Sequence, residues 1–352
     1  MHEKIRIGVV GAGWWASEYH IPAVLAHTEA ELAAVCDPHP ERLKRVMEVF
    51  SLKKTYADYH EMLEKEILDG VIIVTPHATH YSIARDCLEY QTHLLIEKPM
   101  TLFAREAREL VEKAAAIDRQ IMIGYTYHYH NQALRARQAI TGGEIGGVEY
   151  LNSSFSSDMT GFLSGNVSEA SSPIRYTVHG PSENYNKPEM MGGGQGHLQL
   201  THPIGYLFYV TGLRARQVQA KMNNLGLRVD MVDAFTVEFE NGALGLVGGT
   251  GNAHHNHRMS LAVYGQKGCY VVDTMAKFSA LRKEDGTQEE LDWSSSSSYR
   301  GAVTRNFIGV ILGKEENYAP GEVGWRAVEL LDAAYVSSKE KGRVVNIEEL
   351  YR

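Results

Sequence analysis

Chemistry is most legible where Gly11-Ala12-Gly13-Trp14-Trp15-Ala16 follows the apolar run Ile5 to Val10 and opens a segment of helical period. In a G-x-G-x-x-A turn between strand and helix, the first glycine permits the tight bend, the second lets backbone approach a pyrophosphate, and the alanine keeps helix close to sheet. Backbone N–H groups at the helix start, around Trp14 and Trp15, then face phosphate charge. Asp37 closes the second apolar run, 24 residues after Gly13, where a carboxylate can accept hydrogen bonds from the adenosine ribose hydroxyls. Its other reading is a helix N-cap before Pro38. An anion there repels a ribose 2′-phosphate, and the nearest basic residue downstream is Arg42. NAD is therefore the expected cofactor, ahead of NADP.

Three further segments stand beside that turn: Thr75-Pro76-His77-Ala78-Thr79-His80 after the third strand, Glu97-Lys98-Pro99 after the fourth, and Gly192-Gly193-Gly194 before a helix bearing His202. Together the four resemble the glucose-fructose oxidoreductase/inositol dehydrogenase family (Gfo/Idh/MocA), over nearly the whole chain. The resemblance implies sugar or cyclitol oxidation in a crevice between two domains, with Thr75, Pro76, His77, His80, Glu97 and Lys98 bordering the cofactor. It further implies that Lys98 contacts the substrate hydroxyl beside the nicotinamide and that His202 is the acid/base. General chemistry agrees, because a carbinol that gives up hydride must also lose its hydroxyl proton, and an ammonium stabilises the developing alkoxide. The plain alternatives are an exposed lysine at a strand end and a packed helix histidine.

The chain departs from the family around His202, where aspartates are expected four residues before and three after; Leu198 and Gly205 stand there. Gln195 and Gln199 fall on roughly the His202 face of an α-helix and can hydrogen-bond sugar hydroxyls, whereas His197 falls off it. In Gly124-Tyr125-Thr126-Tyr127-His128-Tyr129-His130, strand alternation sends tyrosines one way and histidines the other. Tyr127 or His128 is a candidate donor to a sugar hydroxyl or second acid, and an ordinary half-buried strand reads the same way. Arg175, in the irregular stretch Asp158 to Met191 with Tyr176 and His179, is a candidate for an anionic substituent or a solvated loop arginine. His254, His255 and His257 lie in a Gly/Asn-rich turn without a carboxylate, which fits loop or interface residues and no metal.

The positioning elements follow from periodicity. Short apolar runs at Ile5–Val10, Leu32–Cys36, Val71–Thr75, Leu94–Ile96 and Gln120–Ile123, with helical segments such as Tyr81–Tyr90 and Ala104–Ile117, read as a doubly wound parallel Rossmann domain over 1–124. From Val148 strands follow one another, with a hairpin signal at Asn241-Gly242, turns at Gly265–Gly268 and Asp285-Gly286, and a surface loop at Ser294–Ser298. With helices at Gln199–Val210, Thr304–Leu312 and Val323–Ser338, residues 125–352 read as an α+β domain with an open antiparallel sheet.

Composition bounds the partners. Forty-three acidic against 35 basic residues give net charge −8, with no general attraction to nucleic acid or an anionic membrane. Three separated cysteines and the lack of any long apolar run fit a cytoplasmic protein. The expected activity is hydride transfer between NAD and a secondary hydroxyl of a sugar, sugar derivative or inositol. Glycoside cleavage by transient oxidation on retained NAD, and a non-catalytic sugar-responsive regulator, are the rivals. The open sheet face would serve a homo-oligomer, dimer or tetramer.

Overall fold

The computed structural model describes residues 4–167, 176, 178, 180, 182–293 and 301–352. Six strands, β1 (Ile5–Val10), β2 (Ala30–Cys36), β3 (Thr55–Tyr56), β4 (Gly70–Ile73), β5 (His93–Ile96) and β6 (Ile121–Ile123), form a sheet of order β3-β2-β1-β4-β5-β6. Every pairing is parallel. Val71 to Ile73 and Leu94 to Ile96 are wholly buried, as central strands covered on both faces must be. The expected strands are present; β4 ends two residues early, at Ile73, and β3 is a short unforeseen edge strand. Strand order reverses between β1 and β4, so a crevice opens beyond their carboxyl ends.

The second sheet has nine strands among the described residues, in the order β14-β13-β12-β11-β7-β10-β9-β8-β15. They are β7 (Val148–Asp158), β8 (Ala215–Asn223), β9 (Val232–Phe239), β10 (Leu244–Thr250), β11 (Asn252–Gly265), β12 (Gly268–Asp273), β13 (Phe278–Lys283), β14 (Gln288–Glu290) and β15 (Val345–Asn346). Neighbours are antiparallel except β7 and β10, so the expected antiparallel sheet is mixed at its centre. The parallel pair arises because β7 inserts between strands that come later in sequence. The Asn241-Gly242 hairpin forms, with Gly242 at φ +85°.

Helices Thr201–Thr211 and Gly321–Lys339 cover one face of this sheet. The second also packs on the helix Ala104–Ala116, and the segment entering it joins the first sheet, with Ile123 N–H donating to Ala319 O at 2.8 Å. One continuous apolar core thus runs through both sheets. The opposite face of the second sheet leaves Tyr150, Leu244, Leu246 and Tyr264 exposed. The loop expected at Ser294–Ser298 lies outside the described residues.

Candidate active site

The crevice is a cleft of about 1300 Å³, larger than the 300–1,000 Å³ of an ordinary small-molecule pocket and roomy enough for two ligands. It runs from Asp37 and Arg42, past Gly11, Gly13, Trp14 and Trp15, to Thr75, Pro76 and His77, then to Glu97, Lys98, Tyr127, Gln199 and His202.

At the first end, Gly11 has φ +101°, and a Cβ there would lie 2.3 Å from Val74 O. Beyond Gly13 nothing lies within 4 Å of where a Cβ would be, so backbone is open to an approaching group. That cradle fits a pyrophosphate. Asp37 is buried beneath the turn: Oδ2 accepts from Ala12 N–H at 2.9 Å and Oδ1 from His39 N–H at 2.9 Å, with Arg42 Nη1 at 3.5 Å. The helix that follows, Pro40–Phe50, has His39 at its N-cap with no side-chain cap bond, so Asp37 is not that cap; it braces the glycine turn and lines the cleft. Arg42, five residues further on, is its ion-pair partner.

Glu97 ties the turn to the end of β5. Its Oε1 accepts from Trp15 Nε1 at 2.9 Å and pairs with His20 Nε2 at 3.0 Å, and Oε2 accepts from Lys98 N–H at 3.2 Å. Burial pulls the carboxyl upward, but the His20 hydrogen bond and the His20 and Lys98 charges bring it below the usual carboxylate value. Lys98 Nζ donates to Leu198 O at 3.2 Å, and burial lowers its ammonium pKa. His77 lines the cleft with Nδ1 on Met191 O at 3.0 Å. His80, expected at the cofactor, is instead fully buried between Pro99 O and Thr75 O, each 2.9 Å from a ring nitrogen, and braces the loop from behind.

His202 lines the cleft with Nδ1 buried and unpartnered among the described residues. Burial, Lys98 and the neighbouring His257 and His128 hold its pKa well below 6.5, so the ring is neutral. The two absent aspartates have physical replacements. Leu198 joins a small apolar cluster, and a Cβ at Gly205 would lie 2.7 Å from the Tyr125 ring, which occupies that space.

Several expected placements change. The chain before His202 is a π-helical turn, Gly196–Leu200, in which the α-helical face rule no longer holds. Gln199 lines the cleft, but Gln195 is buried with Nε2 donating to Phe155 O at 2.9 Å. Thr126–Tyr129 is a 3₁₀ turn rather than a strand, which sends His128 into the core. There Nδ1 meets Tyr318 O at 2.9 Å and the ring stacks on Tyr209 at 4.3 Å, with its pKa driven down to about 3 by burial. Tyr127 remains in the cleft. Arg175 and His179 lie outside the described residues, while Tyr176 N–H donates to Glu18 Oε1 at 2.9 Å.

The histidines read as loop or interface residues belong to β11, and His255 and His257 line the cleft. His257 Nε2 lies 3.5 Å from Tyr127 OH. His254 has a carboxylate neighbour after all, Asp158 Oδ2 at 3.0 Å, supplied by β7. Among the described residues no group of three His, Cys, Asp or Glu side chains is placed to hold a metal ion. Asp230 was not anticipated: its Oδ1 accepts from Gly194 N–H at 2.7 Å and Tyr335 OH at 2.9 Å, and Oδ2 from Gly196 N–H at 2.7 Å. This clamp explains the glycines, because a Cβ at Gly194 would lie 2.0 Å from Asp230 O and one at Gly193 2.1 Å from Tyr335 OH.

Residues 5–125 match the family model described as "Oxidoreductase family, NAD-binding Rossmann fold", and 133–271 match the GFO/IDH/MocA C-terminal domain. The chain belongs to the Gfo/Idh/MocA oxidoreductase family. It is 24% identical to a myo-inositol 2-dehydrogenase of Thermotoga maritima, over 98% of this chain and 99% of that protein. Against a D-xylose 1-dehydrogenase [NADP(+)] of Haloarcula marismortui it is 26% identical, over 97% and 92%. Its fold matches a solved levoglucosan dehydrogenase in complex with NADH at TM-score 0.80 and 17% identity, covering 98% and 99% of the two chains. An aldose-aldose oxidoreductase from Caulobacter crescentus complexed with glycerol matches at 0.77 and 18%, covering 98% and 100%.

Proposed function

We propose that the chain is an NAD-dependent dehydrogenase of a secondary hydroxyl in a sugar, sugar derivative or inositol. The observation that carries this reading is the convergence of Lys98 and His202 in the same cleft as the glycine turn. When bound, the nicotinamide supplies the hydride acceptor. Lys98, held by Leu198 O at the carboxyl end of β5, polarises the substrate hydroxyl. Neutral His202 takes the hydroxyl proton, and Tyr127 and Gln199 orient the ring. The dehydrogenase names of the relatives support the substrate class. NAD is favoured over NADP because Asp37 places a carboxylate at the ribose end, although its pairing with Arg42 softens that charge.

The protein acts as a homo-oligomer through the exposed sheet face, and its three unpaired cysteines fit a reducing cytoplasm. Among the described residues no helix is long and apolar enough to cross a membrane. The test is a panel of sugars and inositols scored for NADH absorbance against product. One NADH per product is expected. Many turnovers on substoichiometric NAD, with released aglycone and a flat NADH signal, would reject the dehydrogenase in favour of oxidation-elimination.

A further inference from the structure

Beside Lys98 and His202 the cleft is also lined by an apolar wall of Trp14, which follows the glycine turn, with Met159, Phe162, Tyr185 and Leu198. These side chains belong to a small apolar cluster distinct from the main core. Phe162 meets Tyr185 edge-on at 5.2 Å and 86°, and lies tilted against Trp14 at 6.3 Å. The wall begins at the reacting group, since Leu198 supplies both an apolar side chain and the carbonyl that holds Lys98 Nζ at 3.2 Å. We propose that the substrate carries an apolar, preferably aryl, substituent that packs against this wall. The inference rests on the sugar-dehydrogenase reading of the same cleft and specifies its substrate.

The physical case is one of matching. A pyranose stacks one face on an aromatic ring but brings hydroxyls around its whole edge, and these need acceptors when desolvated. None of the five wall residues is charged. Asp158, the carboxylate on the adjoining strand, is already committed to His254 Nδ1 at 3.0 Å and Thr160 Oγ1 at 2.6 Å. Phe162, Met159 and Leu198 are already packed to under a tenth exposed, with Trp14 and Tyr185 half-buried beside them, so an aryl or alkyl group meets a preformed apolar surface whose one unpartnered buried donor among the described residues is Trp14 Nε1. Leu198 stands where an aspartate was expected, which exchanges a polar contact for an apolar one at the edge of the wall. The substituent takes no part in the redox balance: the carbinol carbon loses a hydride to the nicotinamide and its hydroxyl proton goes to His202.

The experiment compares matched methyl and phenyl glycosides of a panel of hexopyranoses on the NAD-loaded protein, with binding by calorimetry and NADH by absorbance. Phenyl glycosides are expected to bind at least about tenfold tighter than their methyl partners, roughly 1.4 kcal/mol. Phe162→Leu and Tyr185→Ser should each shrink that advantage while leaving NAD affinity unchanged. Equal affinity of methyl and phenyl forms across the panel, or no binding of any phenyl glycoside, overturns the proposal. So does an equal loss of NAD affinity in both variants, which would give the wall to the cofactor. A phenyl preference without NADH keeps the wall and removes the dehydrogenase reading; NADH from free sugars without a phenyl preference does the reverse.

Discussion

The proposed chemistry concentrates on one side chain, Lys98. Lys98→Met should lower kcat by about 10²–10³, the usual cost of losing one charge-stabilising donor, with little change in NAD affinity measured by titration. The pH profile separates the two site residues. His202 titrates well below 6.5, so it is already neutral above that pH and the acid limb of kcat/KM should fall below pH 6.5. Lys98 titrates below 10.5, so the charged form is lost on the alkaline side and that limb should begin below pH 10.5. Lys98→Arg should move the alkaline limb out of range, because a guanidinium stays charged. At the other end of the cleft, Asp37→Ala removes the acceptor of the Ala12 and His39 N–H groups and releases Arg42. NAD binding should weaken about tenfold or more, and NADP should gain relative to it as Arg42 meets the 2′-phosphate; an unchanged NAD/NADP ratio would remove Asp37 from the discriminating role.

At the scale of elements, the site depends on a π-helical turn held from behind. Asp230 gathers Gly194, Gly196 and Tyr335 and so sets Leu198 O, the acceptor of Lys98. Asp230→Ala should cost about 3 kcal/mol in denaturant unfolding, since it leaves buried donors unpaired. Asp233 lies beside it, and burial together with the Asp230 carboxylate pushes its pKa well above 3.8. The native state therefore keeps a proton that the unfolded chain releases above pH 3.8. Stability from this group is present below that pH and is lost as pH rises toward the folded pKa, at about 1.4 kcal/mol per unit. Asp233→Asn should abolish that slope, so the wild type and variant should diverge as pH rises above 3.8; parallel stability curves would refute the assignment.

Across the whole molecule, the second sheet presents one covered face and one bare face. Leu244, Tyr150 and Tyr264 lie side by side across β10, β7 and β11, with Leu246 one step along β10. Such a patch on a long sheet is of the kind that pairs with a second copy. Leu246→Glu should shift the protein to a smaller species in size-exclusion chromatography with its thermal midpoint little changed. The helix Gly321–Lys339 has the opposite role, joining the two sheets into one core.

The parallel sheet and its glycine turn were legible in sequence because each rests on local rules, whereas the Glu97-Lys98-Pro99 segment was legible through the family resemblance. Apolar runs covered on both faces read as central strands, and a strand-to-helix turn near phosphate demands small residues at fixed offsets. The hairpin at Asn241-Gly242 was legible for the same reason. What only the tertiary structure decided was the company these residues keep. His128 and Gln195 left the site because a 3₁₀ turn and a π-helical turn break the periodicities used to aim them. His257 and Asp158 entered it because β7 and β11 pair with more than ninety residues of chain between them, a contact no local pattern encodes. Asp230 was invisible for the same reason: its partners, Gly194, Gly196 and Tyr335, lie 34 to 105 residues away, and only folding brings a carboxylate to three donors at once.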